Sequence, residues 1–501
     1  MTASSQGTVT VDTITLISGA SPSLELHGTG PAPGALELVG SRLRLPASID
    51  GAGDTDAAGD GWHATIPLLA SRWAGPLLAP PSGNYRLGVH IDDRLEVPEP
   101  HLVPGLFRIS FVATNDELTV VFTPPLTDDE LGPAQQARLE AEYRASHPEP
   151  INAVFFESFY GQNASCNPLA IDQAIAAARP DIVRYWGVAD ASVEVPPGAI
   201  AVVESSEEWW RVRAAARLIV INDWLRNRYR KRHHQKVLQT WHGTMLKKLA
   251  LTRARQGLRP ALATLRERSR WDILLSQNGY ATRIFRRAYA YFGPIWNEGY
   301  PRDDALFSGD AAAVRTKLGI PHDMRVLLYA PTWRDDRPDH VDHLDVSRFM
   351  KKLGPEYVTL IRGHSRTLQP GEDVRAGGVL DVTSYPDVSE LFLVADALVT
   401  DYSSVMFDFS VTGKPIYFFT PDLDHYREVL RGFYFDLLPV APGPVVQTAD
   451  ELVALVQNPD AVQAEYAKRY AAWRERFNPR DDGHAAERVV ARLIREGALL
   501  G

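Results

Sequence analysis

A single cysteine, Cys166, among 501 residues leaves no partner for an intramolecular disulfide and fits a reducing cytoplasm. No apolar run approaches the roughly 20 residues of a spanning helix, so any membrane contact is expected to be peripheral. The opening residues, Met1 to Gly7, carry neither a cationic segment nor an apolar one and predict no secretory signal. Neither a G-x-G-x-x-G fingerprint nor a Walker loop occurs, which argues against a dinucleotide oxidoreductase and a P-loop enzyme. Positive charge is not in excess either. The formal net charge of −9 excludes a generic nucleic-acid binder, and no nucleic-acid partner is expected. There is no internal repeat, and the Gly/Asp/Ala patch at 51–60 is the one low-complexity tract.

What is present changes texture along the chain. A chain this long predicts two or three domains. Residues 1–125 alternate at period two over Thr8–Ile17, Ser23–His27 and Arg42–Leu45. Tyr85–Ile91, Leu106–Val112 and Glu117–Phe122 are further strands, with Gly, Pro, Asn and Asp clusters between them. That pattern predicts a small all-β sandwich acting as an accessory module. His27, His63, His90 and His101 are scattered through it and read as solvated or core histidines rather than a metal site. Residues 126–150 predict a linking helix with Asp128, Asp129 and Glu130 in its first turn, ended by Pro148 and Pro150. From Ile151 short apolar runs alternate with helical stretches in two blocks, 151–310 and 311–501. This predicts an α/β fold of two doubly wound, Rossmann-like domains, with ligand in the cleft beyond the strand ends.

Polar residues gather just past those predicted strand ends. One cluster is Trp241, His242, Gly243 and Thr244, and a second runs from Pro331 through Arg334 to Asp336. A third is Arg362, Gly363 and His364, and the fourth is Thr400, Asp401, Ser403 and Ser404. The last follows the buried strand Ala397–Val399 and precedes an apolar stretch that Gly413 stops. It therefore predicts a strand, a hydroxyl-rich loop and a helix start, a place suited to a phosphate or diphosphate. Arginines fork onto phosphate oxygens, and histidines titrate near neutrality.

The run Gln239–Leu249, which contains Trp241 to Thr244, resembles the acceptor-side signature of the CDP-glycerol glycerophosphotransferase family, the teichoic-acid polymerases. Segments 156–161, 299–304, 329–334 and 362–364 match in order, followed by 400–404, 413–415, 431–436 and 482–483, so that the resemblance covers about 151–495. Met245 stands where the family usually has proline and Asp303 where it usually has asparagine, and Ser276-Gln277-Asn278 replaces a more serine-rich stretch. The resemblance implies a fold similar to GT-B glycosyltransferases. It also implies transfer of a polyol phosphate, glycerol phosphate first, from a CDP-activated donor to a hydroxyl of a lipid-linked or polymer acceptor, in cell-wall or capsule synthesis. His242 is then the general base. His364 and Arg334 serve the leaving phosphate, with Arg362, Thr400, Ser403, Ser404, Thr244 and Asp387 binding substrate. No cofactor is expected, and with no carboxylates spaced for Mg²⁺, metal independence is expected too. Two other readings are a nucleotide-sugar transferase on a similar fold and a non-catalytic scaffold that binds polymer or membrane.

Trp224 to Leu265 holds no Asp or Glu, yet carries Arg228, Arg230, Lys231, Arg232, Lys247, Lys248, Arg253 and Arg259 with interleaved leucines. This predicts a cytoplasmic protein held peripherally on an anionic membrane surface, through Arg228, Arg230, Lys231 and Arg232.

Overall fold

The structure is a computed structural model. It describes residues 10–30, 32–50, 61–88, 90–91, 95–114, 117–225, 228–253, 257–332, 344–363, 378–422 and 432–499.

The strands between Thr10 and Thr123 form two larger sheets and a two-stranded ribbon, Ala70–Ser71 with Leu77–Leu78. One, in spatial order, is His90–Ile91, Thr10–Ile17, Ser23–Thr29, Gly61–Pro67 and Ser48–Asp50. The other is His101–Val103, Phe107–Thr114, Glu117–Thr123, Gly83–Leu87, Glu37–Val39 and Arg44–Pro46. Pairing is antiparallel except between Thr10–Ile17 and His90–Ile91. Inward positions supply one core around Trp62, Tyr85, Phe107 and Phe122. The histidines are less scattered than their spacing suggests. Strand register sets His27 opposite His63 with rings 4.5 Å apart, and Glu25, two residues along, shares their face.

Helix α1 (Pro133–Ala145) follows. It starts later than the acidic residues imply, because Pro133 occupies the first turn, where its missing N–H costs nothing. Glu130 instead accepts from Thr127 N at 2.9 Å and Glu207 N at 2.7 Å, fastening the linker to the next domain.

The first α/β lobe is a parallel sheet of β1 (Ile151–Glu157), β2 (Val183–Val188), β3 (Ile200–Val203), β4 (Ala216–Ile221), β5 (Lys236–Gln239), β6 (Ile273–Ser276) and β7 (Ile295–Asn297). Their order is β3-β2-β1-β4-β5-β6-β7. The second lobe has β8 (Arg325–Ala330), β9 (Tyr357–Ile361), β10 (Val379–Asp381), β11 (Ala397–Thr400), β12 (Ile416–Phe419) and β13 (Val445–Val446), all parallel, in the order β10-β9-β8-β11-β12-β13. Both sheets reverse direction beside their first strand, between β1 and β4 and between β8 and β11. Connections there leave to opposite faces and open a crevice at the strand ends.

The lobes do not divide the chain cleanly at 310. The last helix, Ala485–Arg495, inserts Val489, Val490 and Leu493 into the core that holds Val154, Phe156 and Trp296 of the first lobe. The acid-free stretch also differs from its expected open cationic face. Arg228 lies over the Trp210 ring and donates to Gln136 on α1, Arg230 and Arg232 bond the carbonyls of Arg144 and Tyr143 on α1, and Lys231 pairs with Asp272 at 2.7 Å. The three arginines hold α1 onto the lobe, and Lys231 is paired within the lobe itself. Among the described residues no helix is long and apolar enough to cross a membrane.

Candidate active site

His242 sits on the loop after β5, beside the loops that follow β1 and β4. Trp241 has φ 56°, and after β1 Phe159 and Tyr160 have φ 46° and 56°, left-handed values that non-glycine residues adopt at a cost. Buried amides hold this strained cluster. Asn222 Oδ1 accepts from Phe159 N at 2.9 Å, Asn167 Nδ2 donates to the Trp241 carbonyl at 3.1 Å, and Gln239 Oε1 accepts from Trp241 N at 2.8 Å. The His242 ring is stacked on Trp241, with Phe159 on its other side at 5.6 Å between centroids.

The imidazole Nδ1 lies 2.7 Å from the Asn222 carbonyl oxygen. A carbonyl can only accept, so Nδ1 carries the proton and Nε2 keeps its lone pair. Burial lowers the His242 pKa below its ordinary value, against the opposing field of Asp223, so the ring is neutral at pH 7. A neutral imidazole with a fixed tautomer can take a proton from a hydroxyl.

Across the crevice, the loop after β11 departs in part from its expected form. Thr400 is fully buried and donates its hydroxyl to the Ala330 carbonyl at 2.7 Å, tying β11 to β8, so its proton does not face a ligand. Asp401 accepts from Thr332 N through both oxygens, at 2.9 and 3.0 Å, and buttresses the crevice. Ser403 and Ser404 are the partly exposed hydroxyls. The helix they open, α2 (Val405–Phe409), is a single turn running into the 3₁₀ turn Ser410–Thr412 before Gly413 at φ 72°, so its dipole is short. A Cβ built on Gly243 would lie 3.0 Å from Ser404 Oγ, which puts the histidine loop and the serine loop in direct contact.

The other expected site residues fall out as follows. Thr244 is fully buried, donates to Gln277 Oε1 at 2.6 Å and accepts from Asn278 at 3.1 Å, a structural place rather than a substrate contact. Arg362 donates to the carbonyls of Val382 and Tyr385, at 3.2 and 2.7 Å, and burial lowers its pKa to about 10. Asp387 caps the helix Val388–Val394 by accepting from Ser389 N at 2.9 Å, and burial raises its pKa. His364 and Arg334 lie outside the described residues.

Sequence reasoning assigned no role to the seam beneath the crevice. Arg302 forms a buried ion pair with Asp408 of α2 at 2.6 Å and donates to the His242 carbonyl at 2.9 Å and Cys166 Sγ at 3.2 Å. Beside it one amide, Gln277 Nε2, donates to Asp303 (3.0 Å), Asp481 (3.0 Å) and Asp408 (3.4 Å). Burial, followed by the neighbouring carboxylates, raises Asp303 well above its ordinary pKa. Burial first, with Asp408 adding, pushes Asp481 up to about 7. Unfolded aspartates titrate near pH 3.9. The folded state therefore binds more protons between about pH 4 and 7, and stability falls as pH rises through that window. Asp303→Asn keeps the shape and removes one charge. It should raise stability at pH 8 by roughly 1–3 kcal/mol and flatten the pH dependence. Thermal unfolding at pH 5 to 8 checks this, and an equal shift at every pH would refute it.

The profile of the CDP-glycerol:poly(glycerophosphate) glycerophosphotransferase family matches residues 141–495. The chain belongs to this family. It is 36% identical over 368 residues to the teichoic acid poly(glycerol phosphate) polymerase of Bacillus subtilis (strain 168), covering 68% of this chain and 48% of that protein. It is 34% identical over 371 residues to the teichoic acid glycerol-phosphate transferase of Staphylococcus aureus (strain NCTC 8325 / PS 47), covering 69% of this chain and 93% of that one. A solved structure of the wall teichoic acid polymerase TagF superposes with a TM-score of 0.67 at 34% identity, over 73% of this chain and 94% of that one. The chain spans about half the length of the first curated relatives it matches, 48% and 49%. The glycerophosphotransferase match begins at residue 141, so the β-module precedes it.

Proposed function

We propose that this protein transfers glycerol phosphate from CDP-glycerol to a hydroxyl of a poly(glycerol phosphate) acceptor, releasing cytidine monophosphate, with its two lobes in a GT-B-type arrangement. The observation that carries this reading is the contact between the His242 loop and the Ser404 loop, with Nε2 of His242 left basic. The acceptor oxygen attacks the phosphorus that bears the glycerol, and its proton passes to His242 Nε2. An oxygen–phosphorus bond forms, the bridging phosphorus–oxygen bond breaks, and the electron pair leaves on cytidine monophosphate. Ser403 and Ser404 donate to the diphosphate oxygens, where fixed donors contribute most to the rate. Incubation with CDP-glycerol and a glycerol phosphate oligomer tests this: cytidine monophosphate and an oligomer one unit longer are expected, and release of a nucleoside diphosphate would overturn it. Ser403→Ala/Ser404→Ala should weaken CDP-glycerol binding roughly 30-fold, two hydrogen bonds at about 1 kcal/mol each. Unchanged affinity by titration calorimetry would remove both serines from the donor site.

An acceptor chain anchored in lipid would bring the enzyme to a membrane surface. The exposed face suited to that is on the helix Leu258–Arg268. Leu258 and Leu262 are 84% and 65% exposed one turn apart, and Arg259 and Arg266 are exposed beside them. Leucine burial at about 1.5–3 kcal/mol each and about 1 kcal/mol per cation give reversible adsorption to anionic lipid. Leu258→Ser/Leu262→Ser should abolish co-sedimentation with phosphatidylglycerol vesicles at low salt; retained sedimentation would place the contact elsewhere.

A further inference from the structure

The β-module does more than precede the two lobes. Arg42 donates to Gln162 Oε1 at 3.0 Å, Arg72 to the Ser192 carbonyl at 2.8 Å, and Asp190 accepts from Ser82 N at 2.8 Å, which anchors the module to the first lobe. From there a tight turn, with Gly75 N on the Arg72 carbonyl at 2.9 Å and Trp73 and Ala74 at φ 55° and 52°, projects the Trp73 ring onto Tyr385 of the second lobe at 5.2 Å. A cavity of about 490 Å³ opens where the three units meet, walled by Arg42, Arg72 and Trp73 on one side and Arg362, Thr383 and Ser384 on the other.

Its charge is unevenly satisfied. Three of the carboxylates on its wall are occupied: Asp381 accepts from Thr383 N, Asp387 caps Ser389, and Glu390 holds Lys317, while Glu194 also borders the space. Among the described residues, Arg42, Arg72 and Arg362 have no carboxylate within ion-pair distance, and their hydrogen bonds go to amide and carbonyl oxygens. Guanidinium groups in that condition favour a phosphate, which accepts two parallel N–H bonds from each. The indole of Trp73 adds an apolar plane against which a short carbon chain packs. Gln162 on the cavity wall follows directly on the Phe159–Gly161 turn that flanks His242.

We propose that the β-module forms, with Arg42, Arg72 and Trp73, a subsite for a phosphodiester of the acceptor chain, so that this module selects an acceptor already carrying several units. The proposal rests on the glycerophosphotransferase reading above. The same chemistry would suit the diphosphate of the donor, so the experiment separates the two sources. Direct binding of a synthetic glycerol phosphate hexamer and of CDP-glycerol is measured separately by calorimetry, on the full chain, as wild type, Arg42→Gln/Trp73→Ala and Arg42→Glu. The hexamer is expected to bind at least 10-fold more weakly to both variants, with CDP-glycerol affinity within twofold of wild type. Arg42 is exposed, so Arg42→Glu serves if the double variant shows a lowered unfolding midpoint. Unchanged hexamer affinity overturns the proposal, and an equal loss for CDP-glycerol assigns the wall to the donor instead. Because binding is read without turnover, a chain that binds hexamer but transfers nothing would overturn the glycerophosphotransferase reading and leave the subsite standing.

Discussion

His242→Ala should lower turnover by about 10²–10⁴-fold, the contribution of a positioned general base, while CDP-glycerol affinity stays close to that of the unaltered protein. In the proposed reaction the imidazole acts on the acceptor hydroxyl, and the proposed donor contacts lie on the other lobe. His242→Gln retains the steric fill and should be as slow as alanine, since an amide accepts no proton at neutral pH. The pH profile follows from burial. Because desolvation lowers the His242 pKa, the acid limb of the turnover profile should lie below pH 6.5, with a plateau through neutrality. A variant that keeps turnover within a few-fold, or an acid limb above pH 7, would place the base elsewhere.

Arg302→Met should produce the largest loss of stability. It leaves Asp408 buried and unpaired, 2% exposed, beside Asp303 and Asp481. Breaking a buried ion pair from one side costs about 3–5 kcal/mol. The guanidinium also bonds the His242 carbonyl, so turnover should fall further than the stability loss explains. Arg302→Met/Asp408→Leu separates the two effects. Removing both charges should restore most of the unfolding midpoint, because an apolar pair of similar volume tolerates burial as well as an ion pair does. Turnover should stay low, since the bond from the guanidinium to the His242 carbonyl is still missing. Full recovery of turnover in the double variant would show that Arg302 supports the fold alone.

Much of this architecture is legible in the residues. β1, β4, β5, β8, β9, β11 and β12 all lie on apolar runs picked out by strand-helix alternation, because buried parallel strands are apolar on both faces. Strands β6, β7, β10 and β13 are two to four residues long, too short for a periodicity to mark them off from their loops. The place of His242, Ser403 and Ser404 on the crevice loops was legible because those loops follow strand ends. Thr400 and Thr244 were not, since a threonine at a strand end serves a ligand or a neighbouring carbonyl with the same sequence signature. Arg302 and Asp408 are 106 residues apart, and nothing local to either announces an ion pair. The run 299–304 that contains Arg302 carried a signal only as a matched segment. In the basic stretch near Arg228 composition counts charges but not their partners: α1 takes up Arg228, Arg230 and Arg232, and Asp272 takes up Lys231.

The return of the final helix to the first lobe has a mechanical consequence. The polypeptide crosses between lobes twice, once near Gly309 and again between Phe477 and Ala485, and the Asp303–Asp481–Gln277 cluster joins the two crossings. A body tethered at two neighbouring points swings like a door on a pair of pins. A swing that parts Gly243 from Ser404 is resisted by the bonds from Lys248 N to the Gly432 carbonyl and from Tyr434 N to the Leu246 carbonyl. A protease nick at the first crossing would leave the two halves still hung together by the second.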